Sequence, residues 1–413
     1  MAFFISDAVD EMDLRAFVAR YGEEGPGNQA FDPRMMVKVL LYAYASGTFS
    51  SRKIAAKLHE DVALRVLGAG NFPAHRTISD FRVRHLDEFE DLFVQVVRMA
   101  QEAGLAKLGT VAIDGTKMRA NASKRKAMTY GRMKSEEKHL RKEIRALTKR
   151  ATRTDEQEDK KYGKDVRGDE LPAELTRRKD RLAAIQAAKK RLEERQAAED
   201  RENGREPGDQ DRTGKPGRGY KRRFGEPKEK TQDSFTDPES RIMKHSAIGY
   251  QQSYNAQAAV DAEERLIIAA SVTQKVSDVD ELEPMLDEIE ANTGTVPNQV
   301  LADSGYRSEA NLRMLEARGL DGYVAVGREG TGPKPIAADK VATRRMARKL
   351  QTKRGRKRYA KRKHIGEPPF GWIKHVMGFD RFSMRGLRKV DAEWNLVTLA
   401  ANLRRLNGKM VWV

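Results

Sequence analysis

The sequence predicts a mixed α/β sheet, preceded by an all-α region and interrupted by a long charged helical hairpin. Three observations carry this. Short apolar runs at 111–113, 298–302 and 322–327 read as buried strands separated by helical patterns. The first hundred or so residues show helical spacing throughout. Between them, residues 129–234 are highly charged, with leucines at helical spacing and then a run of glycines and prolines. At 413 residues the chain is too long for one ordinary core. The expected boundaries are a helical N-terminal domain at 1–105, a first strand of the α/β domain at 106–128, the insertion at 129–234, and the rest of the α/β domain at 235–413.

The elements follow in order. PRMMVKVLLYAYASG (33–47) opens on Pro33, suited to a first helical turn, and stops at Gly47. SSRKIAAKLHEDVALRVLG (50–68) begins with serines and carries Arg52, Lys53 and Lys57 on its polar side. Thr77 and Asp80 form a capping box before a helix over 81–104. Short helices with basic ends suit a helix-turn-helix-like DNA-binding module, and a plain helical bundle explains them nearly as well. Leu140, Ile144 and Leu147, then Leu175, Leu182, Ile185 and Leu192, predict two long helices with a break at 162–172. Residues 204–233 read as a flexible basic linker. Residues 253–273 read as two strands around a turn at Asp261–Arg265, 279–291 as a helix, and Ser308 as the cap of the next one.

Composition excludes several classes. The chain has no cysteine, so disulfides, thiolate catalysis and cysteine zinc sites are out. Seven histidines make a histidine-rich metal centre improbable, and no apolar run approaches the roughly 20 residues of a membrane helix. Acids follow the first short apolar stretch at once, so no signal peptide is expected and the chain reads as cytoplasmic. The net charge of +18 points to a polyanion, above all nucleic acid. Its densest part is 344–363, where twelve of twenty residues are Lys or Arg and none is acidic. Such a run needs counter-charge, which a phosphate backbone supplies.

The acids suggest chemistry. Asp114 and Asp303 each stand at the exit of a predicted buried strand. Two-metal phosphoryl transfer needs two to four carboxylates on rigid supports, because water and phosphate complete the shell of a hard cation. Glu367, before Pro368-Pro369 at a predicted helix start, and Glu393, in the last helix, compete as the third acid. Lys374 stands seven residues after Glu367, on the same helical side. On spacing alone Glu367 is the stronger, although an acid at a helix start also suits the helix dipole.

Seven stretches in order then resemble bacterial insertion-sequence transposases of the DDE type. They are FDPRMMVKVLLYAYASGTFSSRKI (31–54), HRTISDFR (75–82), AIDGTKMRANASK (112–124), TDPESRIMK (236–244), YNAQAAVDAE (254–263), LADSGYRSEANL (301–312), and EPPFGWIKHVMGFDRFSMRGL (367–387) with AEWNLVTLAANLRRL (392–406). The resemblance implies a ribonuclease H-like mixed sheet with helices on both faces, behind a helical N-terminal domain. It implies Asp114, Asp303 and Glu367 as the catalytic, metal-holding acids, with two Mg²⁺ ions for which Mn²⁺ substitutes. Lys374 is implied as the basic residue beside a DNA phosphate. It implies DNA as partner, at transposon ends and target, with action as a homo-oligomer and no membrane. It also implies more chain ahead of the first helix, and an aliphatic residue where Gly366 stands.

Around that core, Arg354, Arg356, Lys357, Arg358, Lys361, Arg362 and Lys363 are expected to track the DNA backbone without reading sequence. Lys53, Arg76 and Arg82 are candidates for reading DNA from the N-terminal helices, and Arg307 for touching phosphate. Ser304 and Tyr306 are expected to support Asp303, and Asn255 and Gln257 either to bind DNA or to brace a metal ligand. Trp372 and Trp394 are expected in the core rather than stacked on bases. Two rival classes stand beside the transposase: a metal-dependent nuclease without strand transfer, and a non-enzymatic basic DNA-binding protein.

Overall fold

A computed structural model describes residues 1–21, 30–123, 126–162, 173–208, 222–327 and 335–409, with backbone alone for 150–162 and 173–174. Most of the predicted break at 162–172, and the 209–221 part of the predicted linker, lie outside these residues. The chain divides into two compact units. One comprises residues 1–121, 243–249 and 253–413, and the other residues 122–242 and 250–252.

Among the described residues, the first unit opens with α1 (Ala2–Asp10), α2 (Arg15–Val18), α3 (Pro33–Ala45), α4 (Ser51–Glu60), α5 (Val62–Leu67), α6 (His75–Arg84) and α7 (Leu86–Glu102). Pro33 takes the first turn of α3, and the Asp32 carboxylate accepts from the Arg34 N–H, as that start requires. The capping box expected at Thr77 and Asp80 is overturned. α6 already runs from His75, so both lie inside it, and the chain breaks instead at His85. β1 (Thr110–Arg119) follows.

The second unit contains β2 (Ala127–Thr129), α8 (Tyr130–Tyr162), α9 (Ala173–Glu202) and β3 (Gln232–Ser234), with β2 antiparallel to β3. α8 and α9 pack through Met133, Leu140, Ile185, Ala188 and Leu192. Charged pairs flank that seam: Glu143 with Arg178 at 3.0 Å and Glu137 with Lys189 at 3.1 Å. Asp233, fully buried, is held by Arg191 and Arg195.

The remaining strands are β4 (Arg241–His245), β5 (Gly249–Asp261), β6 (Ile267–Thr273), β7 (Gln299–Ala302) and β8 (Asp321–Val324). The sheet is mixed: β5 is antiparallel to β1 and β6, whereas β1, β7 and β8 run parallel. Its helices are α10 (Leu282–Thr293), α11 (Glu309–Ala317), α12 (Val341–Gln351), α13 (Lys353–Gly371) and α14 (Leu387–Asn407). α13 packs on β1, β7 and β8; α14 packs on β6, α3 and α7. Trp394 of α14 is fully buried and donates to the Gln257 carbonyl. No helix among the described residues is long and apolar enough to cross a membrane.

The outer edge of β6 is closed by side chains. Asn402 pairs with both backbone groups of Ile267, at 2.9 and 2.7 Å. Asn292 donates to the Ile268 carbonyl at 3.0 Å. Glu288 accepts from the Ala270 N–H at 2.8 Å and Asp391 from the Val272 N–H at 2.6 Å. Groups that a neighbouring strand would take are thereby satisfied from α10 and α14.

Candidate active site

Two aspartates meet because two strands do. Val111, Ala112 and Ile113 are fully buried, and so are Val300, Leu301 and Ala302. The parallel register sets Ile113 opposite Ala302, so Asp114 and Asp303 come side by side where β7 ends; β1 itself runs on to Arg119, so Asp114 lies within its strand rather than at the expected exit. Each carboxylate is anchored locally. Asp114 Oδ1 accepts from the Gly115 N–H at 2.9 Å, and Asp303 Oδ1 from the Gly305 N–H at 2.7 Å. Burial, with Asp303 nearby, pushes the Asp114 carboxyl up to about 6, although Arg362 opposes the shift.

Glu367 comes to them on α13, and its setting differs from the expectation. The basic tract is helical, and one helix runs from Lys353 through Pro368 and Pro369 to Gly371. Glu367 therefore lies near a helix end rather than at a start, where an acid opposes the dipole. Helix-dipole complementation does not account for it. A π-helical turn, Trp372–Val376, follows directly, a form often found at functional sites. Gly366, where the resemblance implies an aliphatic residue, lies inside α13. It is buried against β1, and a Cβ there would stand 3.4 Å from the Asp114 Cβ. The rival Glu393 is fully buried elsewhere and accepts from the Ser383 and Met384 N–H groups.

A cation stands among the acids. Arg362 Nη1 donates to Asp114 Oδ2 at 3.1 Å and Nη2 to Glu367 Oε1 at 3.2 Å. The Arg362 side chain is only 9% exposed, so this residue corrects the expectation of a solvent-facing, backbone-tracking cation. Lys374, in the π-helical turn, donates to the Thr116 hydroxyl and to the Lys117 carbonyl, two and three residues beyond Asp114. Burial lowers its ammonium from the ordinary lysine range.

The other basic candidates separate by exposure. Lys53, Arg76, Arg354, Arg356, Lys357, Lys361 and Lys363 are exposed. Arg307 is exposed but donates to the Val326 carbonyl, and Arg358 donates to Gln299 Oε1 at 2.6 Å. Arg82 is a second correction. It is 7% exposed and donates inward to the Tyr44 hydroxyl at 2.7 Å and the Phe49 carbonyl at 3.1 Å, so it offers no charge to a ligand. Trp372 departs from its expected core position at 45% exposed, with Arg404 over its ring.

One acid was not anticipated. Asp278, in the loop after β6, accepts from Asn255 Nδ2 at 2.6 Å and Gln257 Nε2 at 2.9 Å, and pairs with Lys117 at 3.4 Å. The alternation of Asn255 and Gln257 on one strand face was its only signal.

The donors here are carboxylate oxygens, the set a hard divalent cation prefers, and the Arg362 guanidinium already occupies a cation's place between Asp114 and Glu367. Among the described residues no three acids close on one point. The donor set nevertheless fits such an ion.

Comparison with known families defines the class. A family described as Transposase DDE domain matches residues 209–403, and one described as Transposase domain (DUF772) matches residues 2–84. The chain belongs with the DDE-type transposases of insertion sequences. The DDE match takes in Asp303 and Glu367 and begins after Asp114. No curated protein and no solved structure matches the chain.

Proposed function

We propose that this transposase cleaves DNA at the ends of its element and joins the freed 3′-OH to target DNA, by in-line phosphoryl transfer in a ribonuclease H-like domain. The observation that carries the reading is that Asp114 and Asp303 directly follow Ile113 and Ala302, paired residues of adjacent parallel strands, with Arg362 tying Asp114 to Glu367. Asp114, Asp303 and Glu367 would hold two divalent cations, Mg²⁺ or Mn²⁺. When bound, such ions lower the pKa of water and offset charge on the phosphoryl oxygens.

The protein's own residues do the rest. Asp114, within buried β1, and Asp303, just past buried β7, set the reacting phosphate at the C-terminal end of β7. Lys374 neutralises a phosphate beside β1. The exposed cations of α13 hold the backbone, and Lys53 and Arg76 extend the contact from the N-terminal helices. α8 and α9 form a charged helical insertion into the catalytic domain. The protein acts as a homo-oligomer, because two element ends must be held together.

The test uses purified protein and a plasmid carrying the gene with its native flanks. Nicking and end-joining are followed in Mg²⁺ or Mn²⁺, against EDTA and Asp303→Asn. Cation-dependent cuts in the flanks that then join a second DNA, lost in Asp303→Asn, support the reading. Cutting without joining would make the protein a nuclease. Binding without cutting would make it a DNA-binding protein.

A further inference from the structure

A fourth carboxylate stands beside the turn that carries Asp303. Asp278 Oδ1 draws donors from two strands: Asn255 and Gln257 on β5, and Lys117 on β1, three residues past Asp114. Gln257 carries the constraint further, because its Oε1 accepts from the Tyr306 hydroxyl. Tyr306 closes the short 3₁₀ turn that Asp303 begins. Both Gln257 and Tyr306 are fully buried. A relay therefore runs from Asp278 through Gln257 to the turn that carries Asp303.

The relay has a direction. A primary amide donates at nitrogen and accepts at oxygen, and a buried amide settles by its partners. With the Asp278 carboxylate fixed, Gln257 must present Nε2 to it and Oε1 to Tyr306. Without that acceptor the amide can turn over, and the Tyr306 hydroxyl loses its fixed partner.

Two glycines show how close the fit is. A Cβ on Gly115 would stand 2.5 Å from Gln257 Nε2 and 2.8 Å from Asp278 Oδ1. One on Gly305 would stand 2.8 Å from Asp303 Oδ1 and 3.1 Å from Asp278 Oδ2. Gly115, next to Asp114, and Gly305, two residues past Asp303, thus have no room for a side chain: Gln257 and Asp278 crowd the first, Asp303 and Asp278 the second.

We infer that Asp278 is a positioning residue for the reaction: through Gln257 and Tyr306 it holds the Asp303 turn in place beside Asp114. The inference rests on the reading of Asp303 as a catalytic acid.

The test uses the full chain and a labelled element end. Single-turnover cleavage, DNA affinity by anisotropy and thermal melting are compared for wild type, Asp278→Ala, Asp278→Asn, Tyr306→Phe and the Asp278→Ala/Tyr306→Phe double variant. Asp278→Ala should slow cleavage roughly 10- to 100-fold, the scale of a misplaced catalytic group, with DNA affinity within about twofold of wild type. Asp278→Asn keeps a carbonyl acceptor for both amides and should recover most of the rate. The double variant should be no slower than the slower single variant, because both cut one relay. Wild-type cleavage by Asp278→Ala, or losses that multiply in the double variant, would overturn the inference. So would an Asp278→Asn as slow as Asp278→Ala, since the charge rather than the acceptor would then matter. If Asp278→Ala does not fold, Tyr306→Phe decides, and a wild-type rate there overturns the inference. Amide exchange over 303–307 gives a readout free of activity: protection should fall in Asp278→Ala and Tyr306→Phe. Unchanged protection overturns the relay, whereas an inactive wild type with the expected loss of protection overturns only the transposase chemistry.

Discussion

The Arg362 guanidinium donates to Asp114 Oδ2 at 3.1 Å, joining a late helix to the first strand. The pair is buried, with side chains 9% and 14% exposed, whereas Glu367, on the other arm of the guanidinium, is 53% exposed. Removing Arg362 leaves the buried Asp114 without its cation. Arg362→Ala should therefore be less stable in EDTA, by about 2 kcal/mol, and melt at a lower temperature. A divalent cation supplies the missing charge, so millimolar Mg²⁺ should raise the melting temperature more in the variant than in wild type. Equal Mg²⁺ shifts in scanning calorimetry would show that the guanidinium and the ion do not share a place.

Acidity governs the closed edge of β6. Burial pushes Glu288 and Asp391 each up to about 7, from ordinary values of 4.5 and 3.8. Their folded-state values are raised, so the stability they contribute is complete below about pH 4 and is lost as pH climbs through about 7. Glu288→Gln and Asp391→Asn keep the oxygens that accept from Ala270 and Val272 but never ionise. Each should flatten the fall in melting temperature between pH 5 and pH 8 (about three pH units) and melt above wild type at the upper end. A variant whose melting curve follows wild type across that range would contradict this account.

Arg82 separates folding from binding. It donates to Tyr44 and Phe49 and is electrostatically coupled to the fully buried Glu393. Arg82→Ala leaves a buried acid without its cation and should cost about 3 kcal/mol of stability. Arg76→Ala and Lys53→Ala remove exposed charges and should leave denaturant midpoints unchanged while weakening DNA binding. Weaker binding by Arg82→Ala at wild-type stability would reverse the assignment.

The exposed cations of α13 should act through counterion release. Replacing Arg354, Lys357 and Lys361 together with alanine should weaken binding to any duplex alike. It should also reduce the slope of log affinity against log salt by up to about 3. Anisotropy titrations at several salt concentrations measure this, and an unchanged slope would place the backbone contacts elsewhere.

The legible part of the site was the part written in contiguous residues. Asp114 and Asp303 follow short apolar runs, and buried parallel strands give such runs directly. Glu367 was legible as a residue but not in its setting. A Pro-Pro pair reads as a helix start, yet α13 passes through it and relaxes into a π-helical turn only afterwards. Arg82 carried a signal that was open to view: Ile78, Phe81, Arg82 and His85 recur at helical spacing, which sets the arginine on the apolar face. Asp278 carried none of its own beyond the alternation of Asn255 and Gln257. It lies in an aperiodic loop, and its donors come from strands about 20 residues and more away, so only the folded chain brings them together.

The side chains along β6 have one more effect. If, as proposed, copies of this protein gather on two DNA ends, they meet at high local concentration, where an open strand invites another to zip onto it. At β6 the invitation is withdrawn: Ile267, Ile268, Ala270 and Val272 are already engaged by residues of α10 and α14. A neighbour must therefore dock on side-chain surfaces. Crowding on DNA can bring the copies together without fusing their sheets along this border.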